Sequence, residues 1–186
     1  MYSFKGFTQK ANLAVNLAID AASALGHTYI GTEHLLLGLI EENTGVAATV
    51  LSECKITAQD IKEQILEAIG RGTPTSLTPE DFTPRTKRVM QTAVAVSSQM
   101  GHSFVGTEHL LVALISEKDS YAVKFIESSG VNPGSVLASL KSGLNDDTDK
   151  SVDLNHGSDK KTGKNKNLEK FGKDLTEAAR NNEIDP

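Results

Sequence analysis

The stretch GHTYIGTEHLL, from Gly26 to Leu36, returns as GHSFVGTEHLL from Gly101 to Leu111, 75 residues on. The same register carries Phe7-Thr8 onto Phe82-Thr83, Leu39-Ile40 onto Leu114-Ile115, and Ile61 and Ile65 onto Val136 and Leu140. A register held over this length marks a duplicated structural unit. Apolar letters drift between the copies, Leu25 becoming Met100, Ile30 Val105 and Leu37 Val112, as a core that accepts any apolar residue of about the right size permits. Thr32, Glu33 and His34 come back unchanged as Thr107, Glu108 and His109. Apolar packing does not account for polar identity.

Around the box the pattern is helical. Ala11, Ala14, Leu17, Ala18, Ala21, Ala22 and Leu25 follow three-and-four spacing. Thr8 is the expected N-cap of this helix, Phe7 the apolar residue that staples its start, and Gly26 its stop. Thr32 is read as the cap of a second helix with Glu33 in its first turn, where the macrodipole favours negative charge. Val46 to Leu51 makes a short third helix, and Thr57 caps a fourth through Ile61, Ile65 and Ile69 to Gly70. A turn-rich connection, residues 73–81, leads to a replay: Thr83 as cap with Pro84 behind it, Gly101 as stop, Thr107 as cap, a helix near Ala122 to Ile126 and a last one near Ser135 to Lys141. The expected fold is all-α, two pseudo-symmetric four-helix repeats with about eight helices, over 1–72 and 82–143. A polar stretch over 144–167, almost without apolar residues, is expected to be a disordered linker. Leu168, Phe171, Leu175 and Ala178-Ala179 then resume helical spacing, so a short C-terminal helix is expected within 168–186.

Composition narrows the function classes. The 186 residues carry a formal net charge of −5 at a pI of about 5.5, so no overall basic field draws in nucleic acid or an anionic membrane. A single cysteine, Cys54, permits no intramolecular disulfide and no Cys-based zinc site. With no signal-type segment at MYSFKGFTQKAN and no long apolar run, a cytoplasmic location is expected. The signatures H-E-x-x-H, G-x-S-x-G and G-x-x-x-x-G-K-[ST] do not occur, so no enzymatic activity is expected of this chain.

If the helix starts at Thr8 and Thr32 lie side by side, their free N–H groups make an anion site and Glu33 offers a carboxylate to a guanidinium. A ligand carrying both charges would fit. The plainer reading is that a threonine cap and a first-turn glutamate are stabilising choices and nothing more. His34 and His109 are read as structural, each tying a helix start to a neighbouring loop, and His27 and His102 likewise. A metal held by His27, Glu33 and His34 is disfavoured, because neighbours on a helix diverge by about 100°.

The doubled GH-x-x-[IV]-GTEHLL box, each copy preceded by Phe-Thr at a helix start, resembles the Clp amino-terminal repeat domain of the ClpA/ClpB/ClpC group of AAA+ unfoldases, and GTEHLLLGLIEE is most similar to the ClpC branch. The tail FGKDLTEAARNNEIDP is similar to the segment that opens the first AAA+ module, so 168–186 is expected to be the start of that module, with the chain ending before it is complete. The resemblance implies a substrate- and adaptor-recognition domain of an ATP-dependent unfoldase in protein quality control and regulated proteolysis, with phosphoarginine on client proteins as the ligand. It implies contacts from Thr8 and Glu33 in one site and Thr83 and Glu108 in the other, with Thr32, His34, Thr107 and His109 around them. It also implies a MecA-class adaptor, a Clp peptidase reached through the AAA+ modules, and no cofactor in this chain, ATP and Mg²⁺ belonging to the full-length parent. The family's Gly-Glu-Gly after the second helix is replaced here by Asn43-Thr44-Gly45 and Asp119-Ser120. The alternative is a free-standing Clp-repeat protein that regulates or binds peptides without an ATPase. This piece alone is expected to be monomeric.

Overall fold

A computed structural model describes residues 1–149, with side chains through residue 144. Eight helices occur among them: α1 (Gln9–Ala24), α2 (Thr32–Glu42), α3 (Val46–Glu53), α4 (Ala58–Ala68), α5 (Pro84–Gln99), α6 (Thr107–Ser116), α7 (Tyr121–Ser128) and α8 (Pro133–Asp149), with a single 3₁₀ turn at Pro79–Asp81. The all-α expectation holds, repeat by repeat.

The termini form for the reasons the sequence suggests. Thr8, Thr57 and Thr83 each accept a hydrogen bond from the backbone N–H three residues on, and Pro84 opens α5. At Gly26 the backbone takes φ 77°, which lets His27 donate its N–H back to the Ala22 carbonyl at 3.0 Å and closes α1. Two expectations change. Thr32 and Thr107 are the first helical residues rather than caps, the cap positions being Gly31 and Gly106. The last helix continues to Asp149, past the boundary expected for the linker at 144. The remainder of that linker and the short C-terminal helix expected within 168–186 lie outside the described residues.

One apolar cluster runs through both repeats, from Ala14, Ala18 and Leu35 to Val89, Leu111, Ile126 and Val136. The repeats interleave rather than stand side by side: α2 packs on α7, and α3 on α6 and α8. Two isolated parallel bridges, Phe7 with Val105 and Ile30 with Phe82, join the segment before one repeat's first helix to the loop before the other repeat's second. Through them Thr8 donates its N–H to the Val105 carbonyl at 2.8 Å and Thr83 to the Ile30 carbonyl at 3.1 Å.

Candidate functional site

These crossings decide which predicted residues meet. Thr8 lies beside the loop that leads to Glu108, and Thr83 beside the loop that leads to Glu33. The expected partnership of Thr8 with Glu33 and Thr83 with Glu108 within one repeat is therefore replaced by an exchange. Each pairing is composite, its threonine from one repeat and its glutamate from the other.

Each letter of the GTEH box has a separate task. Gly31 and Gly106 leave room for the following glutamate: a Cβ on Gly31 would stand 2.5 Å from Glu33 Oε2, and one on Gly106 2.6 Å from Glu108 Oε1. The Thr32 hydroxyl accepts the Ala122 N–H at 3.4 Å and the Thr107 hydroxyl the Ala47 N–H at 3.3 Å, so each threonine ties the start of the other repeat's third helix. Gly31 and Gly106 donate their N–H groups to Nδ1 of His34 and His109, at 2.9 and 2.8 Å. With Nδ1 accepting, the proton of each neutral ring sits on Nε2. It is then donated to Nδ1 of His27 or His102, both at 2.7 Å, and His27 Nε2 donates onward to the Gly70 carbonyl at 2.9 Å. Both histidine pairs thus tie a helix start to the loop before it, as expected of them.

Glu33 and His34 do not diverge, contrary to expectation. The carboxylate curls back over Gly31, and Oε1 comes to 3.4 Å from His34 Nδ1. That approach is not an ion pair, because Nδ1 is an acceptor here, and burial followed by the proximity of His27 pushes the His34 pKa down to about 3. Glu33 Oε1 consequently has no hydrogen-bond partner while fully buried. Burial pushes the Glu33 carboxyl up to about 7, against the opposing pull of its own backbone N–H and the Thr32 hydroxyl. Tyr29, stacked on His27 and edge-on to His34, is raised by burial and then by the Glu33 charge.

At the other cleft the carboxylate is more open, with the Glu108 side chain 18 % exposed against 2 % for Glu33. It borders a cavity of about 590 Å³ at which α1, α3 and α6 all begin, lined among others by Thr8, Lys10, Val46, Glu53 and Thr107. Gln9 and Lys10, in the first turn of α1, have N–H groups that no acceptor among the described residues takes. Lys10, Val46 and Glu53 were not singled out in the sequence, because they become neighbours of Glu108 only through the exchange between repeats.

Among the described residues, His102, Glu108 and His109 are the one grouping whose donor atoms lie close enough for a metal ion. The donor set does not fit. His109 Nδ1 accepts the Gly106 N–H, so ligation through Nε2 would require an imidazolate.

The Clp repeat (R) N-terminal domain family model matches residues 6–129 and 81–170. Chaperone protein ClpC, chloroplastic, of Pisum sativum is 37 % identical over 183 residues, 98 % of this chain and 20 % of the relative. The ClpA homolog of Brassica napus, an ATP-dependent Clp protease ATP-binding subunit named chloroplastic, is 36 % identical, again over 98 % of this chain and 21 % of its own length. This chain therefore spans about a fifth of the curated relatives it matches. Among solved structures, the N-terminal domain of ClpD from Arabidopsis thaliana superposes with a TM-score of 0.65 at 28 % identity, covering 76 % of this chain and 99 % of that one. Doubled box, interleaved helices and family match agree: the chain belongs to the Clp repeat N-terminal domain family.

Proposed function

We propose that this domain recognises clients and adaptors for a ClpC-type ATP-dependent unfoldase, and that its two composite clefts each hold a phosphorylated arginine side chain. The observation that carries this reading is the cleft at Thr8, where three helix starts and the Glu108 carboxylate face one cavity. The free N–H groups of α1 and the Thr8 hydroxyl suit the phosphoryl group. Glu108 suits the guanidinium, which a carboxylate can engage with two parallel hydrogen bonds. The orphaned Glu33 oxygen in the second cleft supports the same chemistry, since a buried carboxylate without a partner is a receptor for a cationic donor. Thr32, Thr107, His34 and His109 shape both clefts from behind.

ATP, Mg²⁺ and a Clp peptidase would be engaged by modules outside this chain, and a MecA-class adaptor by its surface. A cytoplasmic location is the reading that its lone cysteine favours, although the Pisum and Brassica relatives are named chloroplastic. No single helix among the described residues is long and apolar enough to cross a membrane.

Titration with phosphoarginine, followed by backbone amide shifts, tests the site. Shifts at Gln9, Lys10, Val46 and Glu108 are expected, with none of comparable size from arginine or inorganic phosphate alone. Glu108→Ala should weaken binding at this cleft by about 10- to 100-fold, the worth of a charge-assisted hydrogen bond. The absence of any shift near either glutamate at millimolar phosphoarginine would overturn the reading.

A further inference from the structure

The two clefts share Thr, Gly and Glu but differ at their mouths. Val46 at the start of α3 is matched by Tyr121 at the start of α7, Thr49 by Lys124, Glu53 by Ser128 and Leu13 by Arg88. Ala11 is matched by Thr86, whose hydroxyl pairs with that of Thr83 at 2.8 Å; the Thr8 hydroxyl has no such neighbour and only caps Ala11. The open cleft is thus rimmed by Lys10 and Glu53. In the first two turns of α5, Arg85 and Arg88 are both drawn toward Glu117, and at the start of α7 the Lys124 ammonium lies 5.7 Å from the Tyr121 ring centre.

We propose, resting on the functional reading above, that the clefts are unequal: the Thr8–Glu108 cleft stands open, while the Thr83–Glu33 cleft is latent and gated by Tyr121. Three observations carry it. Glu33 is sealed from solvent with an unpartnered oxygen, whereas Glu108 borders a cavity. The start of α7 is fastened to the start of α2 by the Ala122 N–H on the Thr32 hydroxyl, one residue from Tyr121. Tyr29, packed on His27 and His34 behind Glu33, feels both the Glu33 carboxylate and Tyr121, which places the two tyrosines and the carboxylate in one neighbourhood.

A guanidinium reaches Glu33 only when the Tyr121 side chain swings outward. That side chain has room to do so, being 44 % exposed, with its ring against Phe125 and Lys124 of its own helix. A site open a tenth of the time binds with about tenfold weaker apparent affinity.

Phosphoarginine titration of the whole chain, read by amide shifts, separates the two clefts. In the unmodified protein, amides near Gln9, Val46 and Glu108 should respond first, and those near Glu33, Thr83 and Ala122 at about tenfold higher ligand. Tyr121→Val, which copies the residue of the open cleft, should bring the second group to within about threefold of the first without altering the first. Tyr121→Phe, which keeps the ring, should preserve the gap. Equal response of both groups in the unmodified protein, or a gap unchanged by Tyr121→Val, overturns the gating while leaving the functional reading intact. Absence of shifts at both clefts overturns the functional reading and this inference together.

Discussion

Gly38→Ala is expected to lower the unfolding free energy by about 3 kcal/mol, near the top of the usual range for overpacking. At this point α2 crosses α1 with no side chain between them. A Cβ on Gly38 would fall well inside contact distance of the Ala14 carbonyl oxygen, 2.8 Å from the Ala18 nitrogen and 3.1 Å from the Ala18 Cβ. Two of those atoms are helix backbone and cannot turn aside, so the helices must separate and the apolar seam around Ala14, Ala18 and Leu35 must loosen. The second repeat shows the alternative solution. Ala113 holds the equivalent position, and α5 and α6 meet less intimately than α1 and α2. Urea unfolding measures the effect, and a loss below about 1 kcal/mol would show that α1 yields easily. Gly143→Ala is the control: it lies in α8 with nothing within 4 Å of an added Cβ, so the change should be neutral or stabilising by up to about 1 kcal/mol.

Glu33→Gln is expected to stabilise the protein at pH 8 by about 3 kcal/mol, the equivalent of a carboxyl raised from 4.5 to about 7. The sign follows from proton uptake. Because the folded state holds the Glu33 proton more tightly than the unfolded chain, its contribution is fully present below pH 4.5 and is lost as pH rises through about 7. His34 works in the opposite sense. Its pKa, lowered from 6.5 to about 3, makes a contribution that is complete above pH 6.5 and lost as pH falls toward 3. Between about pH 4.5 and 6.5 the Glu33 slope opposes that of His34 and that of His109, whose pKa burial also lowers, so the unmodified protein should show a shallower rise there than the two histidines alone would give. Glu33→Gln removes one slope, so stability of the variant should climb through that window. Urea unfolding at several pH values decides it, and parallel profiles for the two proteins would refute the account. A gain of that size in Glu33→Gln would set Glu33 apart from an ordinary first-turn glutamate, which stabilises its helix.

Much of the fold was legible because its signals are local. The three-and-four spacing of Ala11, Ala14 and Ala18, the caps at Thr8, Thr57 and Thr83 and the stop at Gly26 each depend on neighbours within a turn or two. The partnership of threonine and glutamate was not legible, because Phe7 meets Val105 and Ile30 meets Phe82 across the boundary between the repeats. A faint signal exists in hindsight: the pairs Tyr29-Ile30 and Phe104-Val105, β-favouring residues just before a glycine, suit an extended segment that can bridge. Thr32 and Thr107 misled for a similar reason. Threonine at a helix start reads as its own helix's cap, yet these hydroxyls serve helices of the other repeat. Glu33 and His34 met because both side chains turn back toward Gly31, a freedom that helical angles alone do not reveal.

The two parallel bridges have an ancestral consequence. Each repeat lends a strand-like arm to the helix start of the other. A single repeat, before duplication, would find the same bridge partners in a second copy of itself about a two-fold axis. Joining the copies in one chain made the exchange intramolecular, and it freed the two halves to diverge. Val46 and Tyr121, at the starts of α3 and α7, are such a divergence, one that no symmetric pair of identical subunits could have held.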